Sequence, residues 1–168
     1  MNKLSTNNKE WQNIAGLIVI AMFFIGDRLL KQLALEQGYG QSKDILGNWL
    51  QFNFVPNPYI AFSIPFGGIL VNILSTLLIS FLLFDWIRLI IKKLLSTIEK
   101  LLIILVIMGA ISNLTDRLMY GFVIDYLDLK YFTIFNLADM MISGPIAFVI
   151  LNFKKYGNHG KNILKPKE

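Results

Sequence analysis

The chain has 168 residues, of which 55% are hydrophobic and only 16% charged, and its mean hydropathy is +0.56. A soluble domain of this size carries about 25% charged residues, so the composition argues against a cytosolic enzyme, a disordered chain or a soluble nucleic-acid binder. The absence of cysteine rules out disulfides, thiolate metal sites and a cysteine nucleophile, and the single histidine, His159, rules out a histidine metal cluster. Any hydrolytic chemistry must rest on the acids.

A bilayer core about 30 Å thick needs roughly 20 apolar residues of helix, and four stretches are read as transmembrane helices. Residues 14–25 are apolar, and residues 33–35 resume after Asp27, Arg28 and Lys31. This first helix lacks a small-x-small cleavage pattern near 24–27 and is expected to be a retained anchor rather than a signal peptide. Next comes an outer connection, 36–65, in which residues 49–55 (WLQFNFV) alternate apolar and polar and predict a strand at headgroup level. Pro56, Pro58 and Pro65 are expected to break it into turns. Residues 66–84 carry no charge and predict the most complete span. Residues 101–115 form the third, ending at Asp116-Arg117. In the second outer connection, 119–134, residues 122–126 read as extended. The fourth span covers 140–153, and a helix begun near Phe135 would include Asp139.

Eleven of the sixteen basic residues fall in three segments: the arm (Lys3, Lys9), the connection between helices two and three (Arg88, Lys92, Lys93, Lys100), and the tail (Lys154, Lys155, Lys161, Lys165, Lys167). Four spans put all three on one side, and the positive-inside rule makes that side the cytoplasm. The net charge of +5 therefore reflects topology and implies no nucleic-acid partner. One membrane domain, 1–168, is expected, with a cytoplasmic arm at 1–13 and a basic cytoplasmic tail at 154–168.

Acids inside spans are costly and default to a functional reading. At 1.5 Å per residue, Asp27 lies roughly 24 Å from Trp11, Asp116 roughly 24 Å from Lys100, and Asp139 roughly 22 Å from Lys154. Three helices thus place an acid at nearly one level, in the outer third of the hydrocarbon. Asp27 has Arg28 beside it and Lys31 four residues on, and Asp116 is followed by Arg117. Nearby cations favour ionised carboxylates, so these acids read as structural. Asp125 and Asp139 have no basic residue within four positions, and Asp128, with Lys130 nearby, is a spare candidate. Asn113 and Asp116 are three apart, Arg117 joins that face, and Asn136 and Asp139 repeat the spacing. Two unpaired carboxyls at one site share a proton. Such a pair can hydrolyse an amide, bind a cation or relay protons, and residue types alone leave these readings open. A non-catalytic membrane scaffold is a further alternative.

Several blocks in order resemble the signal peptidase II family of bacterial lipoprotein signal peptidases. Residues 27–31 (DRLLK) match its Asp-x-x-x-Lys. Residues 57–62 (NPYIAF) resemble Asn-x-Gly-x-Ala-Phe, and 109–117 (GAISNLTDR) fit Gly-x-x-x-Asn-x-x-Asp-Arg. Residues 123–126 (VIDY) resemble Val-x-Asp-Phe, and 132–139 (FTIFNLAD) resemble Phe-Pro-x-Phe-Asn-x-Ala-Asp. Tyr59 stands where the family has glycine, which is expected to alter the turn or narrow the site, and Thr133 replaces a proline. The stretch between Asp125 and Asp139 is shorter than usual for the family.

The resemblance implies a four-transmembrane-helix bundle with a small outer β-sheet cradle. It implies an aspartic endopeptidase of the bacterial inner membrane, monomeric and without a cofactor, with both termini cytoplasmic and its site near the outer face. Its substrates would be diacylated prolipoproteins met within membrane lipid and cut before the lipidated cysteine. Asp125 and Asp139 would be catalytic. Asn57, Asn113, Arg117 and Asn136 would hold substrate backbone or neighbouring polar groups, and Asp27, Lys31 and Asp116 would support the architecture.

Overall fold

The computed structural model describes residues 3–59 and 68–152, with side chains from residue 10 onward. Residues 60–62 of the asparagine loop, Pro65, and the tail 154–168 with His159 lie outside the described residues. The elements run α1 (Lys3–Gln37), β1 (Ser42–Leu46), β2 (Leu50–Asn57), α2 (Ile69–Ile91), α3 (Thr97–Tyr120), β3 (Val123–Leu129), β4 (Thr133–Phe135) and α4 (Leu137–Leu151). Among the described residues, three helices are long and apolar enough to cross a membrane: α1 from Glu10, α2 and α3; α4 is a shorter apolar helix. Large apolar side chains such as Leu77, Phe81 and Phe84 stay exposed on α2, as they do where lipid rather than protein covers a helix.

Helix ends depart from the sequence expectation where charges are neutralised locally. α2 runs past Phe84 to Ile91, with Arg88 bonded to Asp85 at 2.8 Å. α3 starts at a capping box in which Ser96 Oγ accepts from the Glu99 N–H and Glu99 accepts from the Ser96 N–H. It continues a turn beyond Asp116 and stops at Gly121, whose φ of 83° supplies the left-handed cap. α4 contains Pro145, which is buried within the bundle, where packed neighbours tolerate such an interruption.

The four strands form an antiparallel sheet in chain order. The strand expected at 49–55 is β2, but it continues through Pro56 to Asn57. Proline fits there because β1 pairs only as far as Asn53 and, among the described residues, leaves that side of β2 without a neighbour. β1 is exposed at all five residues and β4 is three residues long, so neither shows a periodic pattern. Alternation in β3 sends Ile124 and Tyr126 into a core with Phe54 and with Ala34 of α1, and sends Val123 and Asp125 to the opposite face. The sheet is thereby docked on the end of α1 and stands at the end of the bundle where α1 and α3 finish. The basic turn between α2 and α3 lies at the other end.

Candidate active site

Asp125 and Asp139 line one cavity of about 230 Å³. Asn57, Asn113 and Arg117 complete its polar end. The remaining wall is apolar except for Ser75 of α2, and is formed by residues such as Val71, Leu78 and Ile79 of α2, Val106 and Ala110 of α3, Val123 of β3 and Ile142 of α4. The space holds several water molecules at about 30 Å³ each.

Each carboxyl is held by asparagine. Asp125, 2% exposed, accepts from Asn57 Nδ2 at 2.9 Å on one oxygen and from Asn136 Nδ2 at 2.6 Å on the other. Asp139 accepts from Asn113 Nδ2 at 2.8 Å. Asn136 is the N-cap of α4, and Asp139 sits three residues on, in a reciprocal capping box. Asn136 Oδ1 accepts from the Asp139 N–H at 2.9 Å, and Asp139 Oδ2 accepts from the Asn136 N–H at 3.3 Å. Asn136 thus ties the two acids together. It is fully buried, and both ends of its amide are engaged inside the protein.

Burial, and next to it the charge of Asp139, push Asp125 up to about 7, against the bonds from Asn57 and Asn136 and the charge of Lys31, which favour the carboxylate. Asp128, the spare candidate, lies out on the sheet and accepts from Asn53 at 3.0 Å. It does not line the cavity.

Beneath the cavity lies a buried charge cluster. Lys31 bonds Asp27 at 3.0 Å and Asp116 at 2.7 Å, and Arg28 bonds Asp116 at 2.5 Å. The expected level of acids is met: Asp27 also accepts from the Ala138 N–H of α4 at 3.1 Å. The partner expected for Asp116 is corrected. Arg117 turns away from it, lines the cavity and donates to the Tyr59 carbonyl at 3.0 Å, because neighbours in a helix point about 100° apart. Arg117 Nε is buried without a hydrogen-bond partner among the described residues.

Two residues went unnoticed in the sequence. Ser112 donates to Asp27 at 2.6 Å. The Tyr126 hydroxyl donates to Asp27 at 3.0 Å and accepts from the Leu137 N–H at 3.1 Å. Burial and Asp27 both push this phenol upward, so it stays a donor. A polar Ser112 inside an apolar run was the one available signal. Tyr59 is not among the described residues that line the cavity. Its φ is not positive, its N–H closes a turn onto Asn57 Oδ1 at 3.0 Å, and its side chain is exposed. A glycine is not needed for that turn. Thr133 opens β4 opposite Leu129.

The sequence profile described as Signal peptidase (SPase) II matches residues 19–154. The chain is 33% identical over 144 residues to the lipoprotein signal peptidase of Caldicellulosiruptor bescii, covering 83% of this chain and 91% of that one. It is 31% identical over 158 residues to the lipoprotein signal peptidase of Clostridium tetani, covering 88% and 97%. A bacterial membrane enzyme solved by the in meso method at 2.3 Å superposes with a TM-score of 0.72 at 22% identity, over 92% of this chain and 93% of the other. With the profile match spanning most of its length, the chain belongs to the signal peptidase II family of aspartic peptidases, on a bacterial multi-pass membrane fold.

Proposed function

We propose that this peptidase removes the signal peptide from diacylglyceryl-modified prolipoproteins, cutting before the lipidated cysteine, with Asp125 and Asp139 as the catalytic pair. The observation that carries the assignment is their place at the polar end of one cavity whose remaining wall is mostly apolar. An apolar signal segment suits the wall formed by α2, α3 and α4, and its scissile amide suits the end that holds the acids.

The two carboxyls share one proton. The ionised one takes a proton from water as the water oxygen attacks the carbonyl carbon. The protonated one donates to the carbonyl oxygen, which gives a gem-diol. A proton then passes to the amide nitrogen and the C–N bond breaks. The signal peptide leaves with a new carboxyl terminus, and the lipidated cysteine leaves with a free amine. Asn57, Asn113 and Asn136 hold the acids in place, and Arg117 is aimed at substrate carbonyls. Asp27, Lys31 and Asp116 hold the helices in register. The enzyme acts as a monomer in the inner membrane, with the sheet and site toward the outer face and both termini cytoplasmic.

The test is incubation of the purified protein with a synthetic diacylated prolipoprotein, read by gel shift and by mass spectrometry of the new N-terminus. The expected product begins at the lipidated cysteine. An intact substrate, or a cut elsewhere, rejects the assignment.

A further inference from the structure

Lys31 is fully buried on α1. An ammonium has three hydrogens to donate and no acceptor. Its three shortest contacts are Asp116 Oδ2 at 2.7 Å, Asn113 Oδ1 at 2.8 Å and Asp27 Oδ2 at 3.0 Å. Ser112 Oγ lies farther away, at 3.3 Å, and directs its own hydrogen to Asp27. The carboxylates neutralise the ammonium and anchor it. The bond to Asn113 has a different consequence.

An asparagine amide can present either its oxygen or its NH2 group to a neighbour. Turned over, Asn113 would set its oxygen against a carboxylate oxygen of Asp139 and its NH2 against the ammonium, two repulsive contacts. With Lys31 fixed, only the oxygen can face it, so the NH2 group faces Asp139, where it donates at 2.8 Å. We propose that Lys31 is a positioning residue for peptide hydrolysis, because its ammonium locks the Asn113 amide in the orientation that holds Asp139 at the cavity. This inference rests on the reading of Asp139 as one of the catalytic pair. It extends from the buried salt-bridge cluster through one amide to the reacting groups, and it gives the cluster a task beyond holding helices together.

The test is kcat and KM for the full chain on a diacylated prolipoprotein, in a mutant cycle. The Asp27→Asn/Lys31→Met double variant removes one charge of each sign and keeps the Arg28–Asp116 pair, so its melting temperature should stay close to the parent's. Its kcat should fall at least about tenfold with KM within about threefold, as expected for a misplaced catalytic group. Asn113→Ala should lower kcat too, and adding the double change to it should cost no more than about twofold further. Parental kcat in the double variant, or effects that multiply in the combination, would overturn the proposal. Asn113→Asp decides the matter if the double variant does not fold, because it leaves Lys31 an oxygen to bond but takes the donor from Asp139. A folded Asn113→Asp protein with parental kcat would also overturn it. A parent chain that cuts nothing removes the catalytic reading itself, a result distinct from cleavage by the parent with unaffected variants.

Discussion

Asn136 reaches from the first turn of α4 to Asp125 on β3 with a 2.6 Å hydrogen bond, while its oxygen caps the N–H of Asp139. One amide therefore spaces a carboxyl on a strand from a carboxyl on a helix. Asn136→Ala should lose about 1 kcal/mol of helix capping and let Asp125 rise further, since one bond that favours its charge is gone. Asn136→Asp should keep the cap but place a third acid beside Asp125. Both variants should lose activity, and Asn136→Asp should melt closer to the parent, measured by thermal unfolding beside the cleavage assay.

Asp125→Asn and Asp139→Asn should each lower cleavage by at least about a thousandfold, the upper range for loss of a positioned acid or base. Both should remain folded. Retained turnover in either purified variant would reassign the chemistry.

Asp125 links stability to pH. Its folded value, about 7, lies above the ordinary carboxylate value of 3.8, so the folded state holds this proton more tightly than the unfolded chain. The contribution is complete below the unfolded value and is lost as pH rises through about 7. The melting temperature of the parent should carry a decline between these limits that is absent from Asp125→Asn. Cleavage should fall on the alkaline side of about 7, where the pair loses its shared proton. Melting curves and rates across that range check both statements.

Lys31→Met alone leaves Asp116 paired with Arg28 but leaves Asp27 buried with neutral donors and no cation among the described residues. Removing one partner of a buried ion pair costs about 3–5 kcal/mol. A large fall in melting temperature is expected, with much of it restored by adding Asp27→Asn.

Gly109 marks a close approach of α3 to α4. A Cβ there would lie 2.6 Å from the Ala138 carbonyl oxygen, a backbone atom that cannot step aside alone. Gly109→Ala should therefore part the helices beside Asp139, lowering both melting temperature and kcat. Gly16→Ala should be milder, because a Cβ there meets only the side chain of Leu101.

The bundle was legible because lipid demands long apolar runs, and the acids because charge near charge can be read along a helix. Asp125 and Asp139 stood out by lacking cations within four positions. The spacing of Asn136 and Asp139 was visible too, although its meaning as a capping box needed the boundary between β4 and α4. Contacts between distant residues were not legible. Ser112 and Tyr126 meet Asp27 from 85 and 99 residues away. Asp116 passed over its neighbour Arg117 for Lys31 and Arg28 of another helix, a choice made by helical geometry rather than by sequence proximity. β1 and β4 escaped because short, exposed or edge segments carry no alternation to read.

The seam where β3 sits on α1 carries a further meaning. The Tyr126 hydroxyl bonds at once to α1 through Asp27 and to the start of α4 through Leu137. It therefore works as a rivet through three separate bodies, two of which, β3 and α4, each bear one of the proposed catalytic acids. That joint acts with Asn136 and Asn113 in setting the gap between those acids. A wedge driven under the rivet would disarm the enzyme without touching either acid, and Tyr126→Phe is the smallest such disturbance to make.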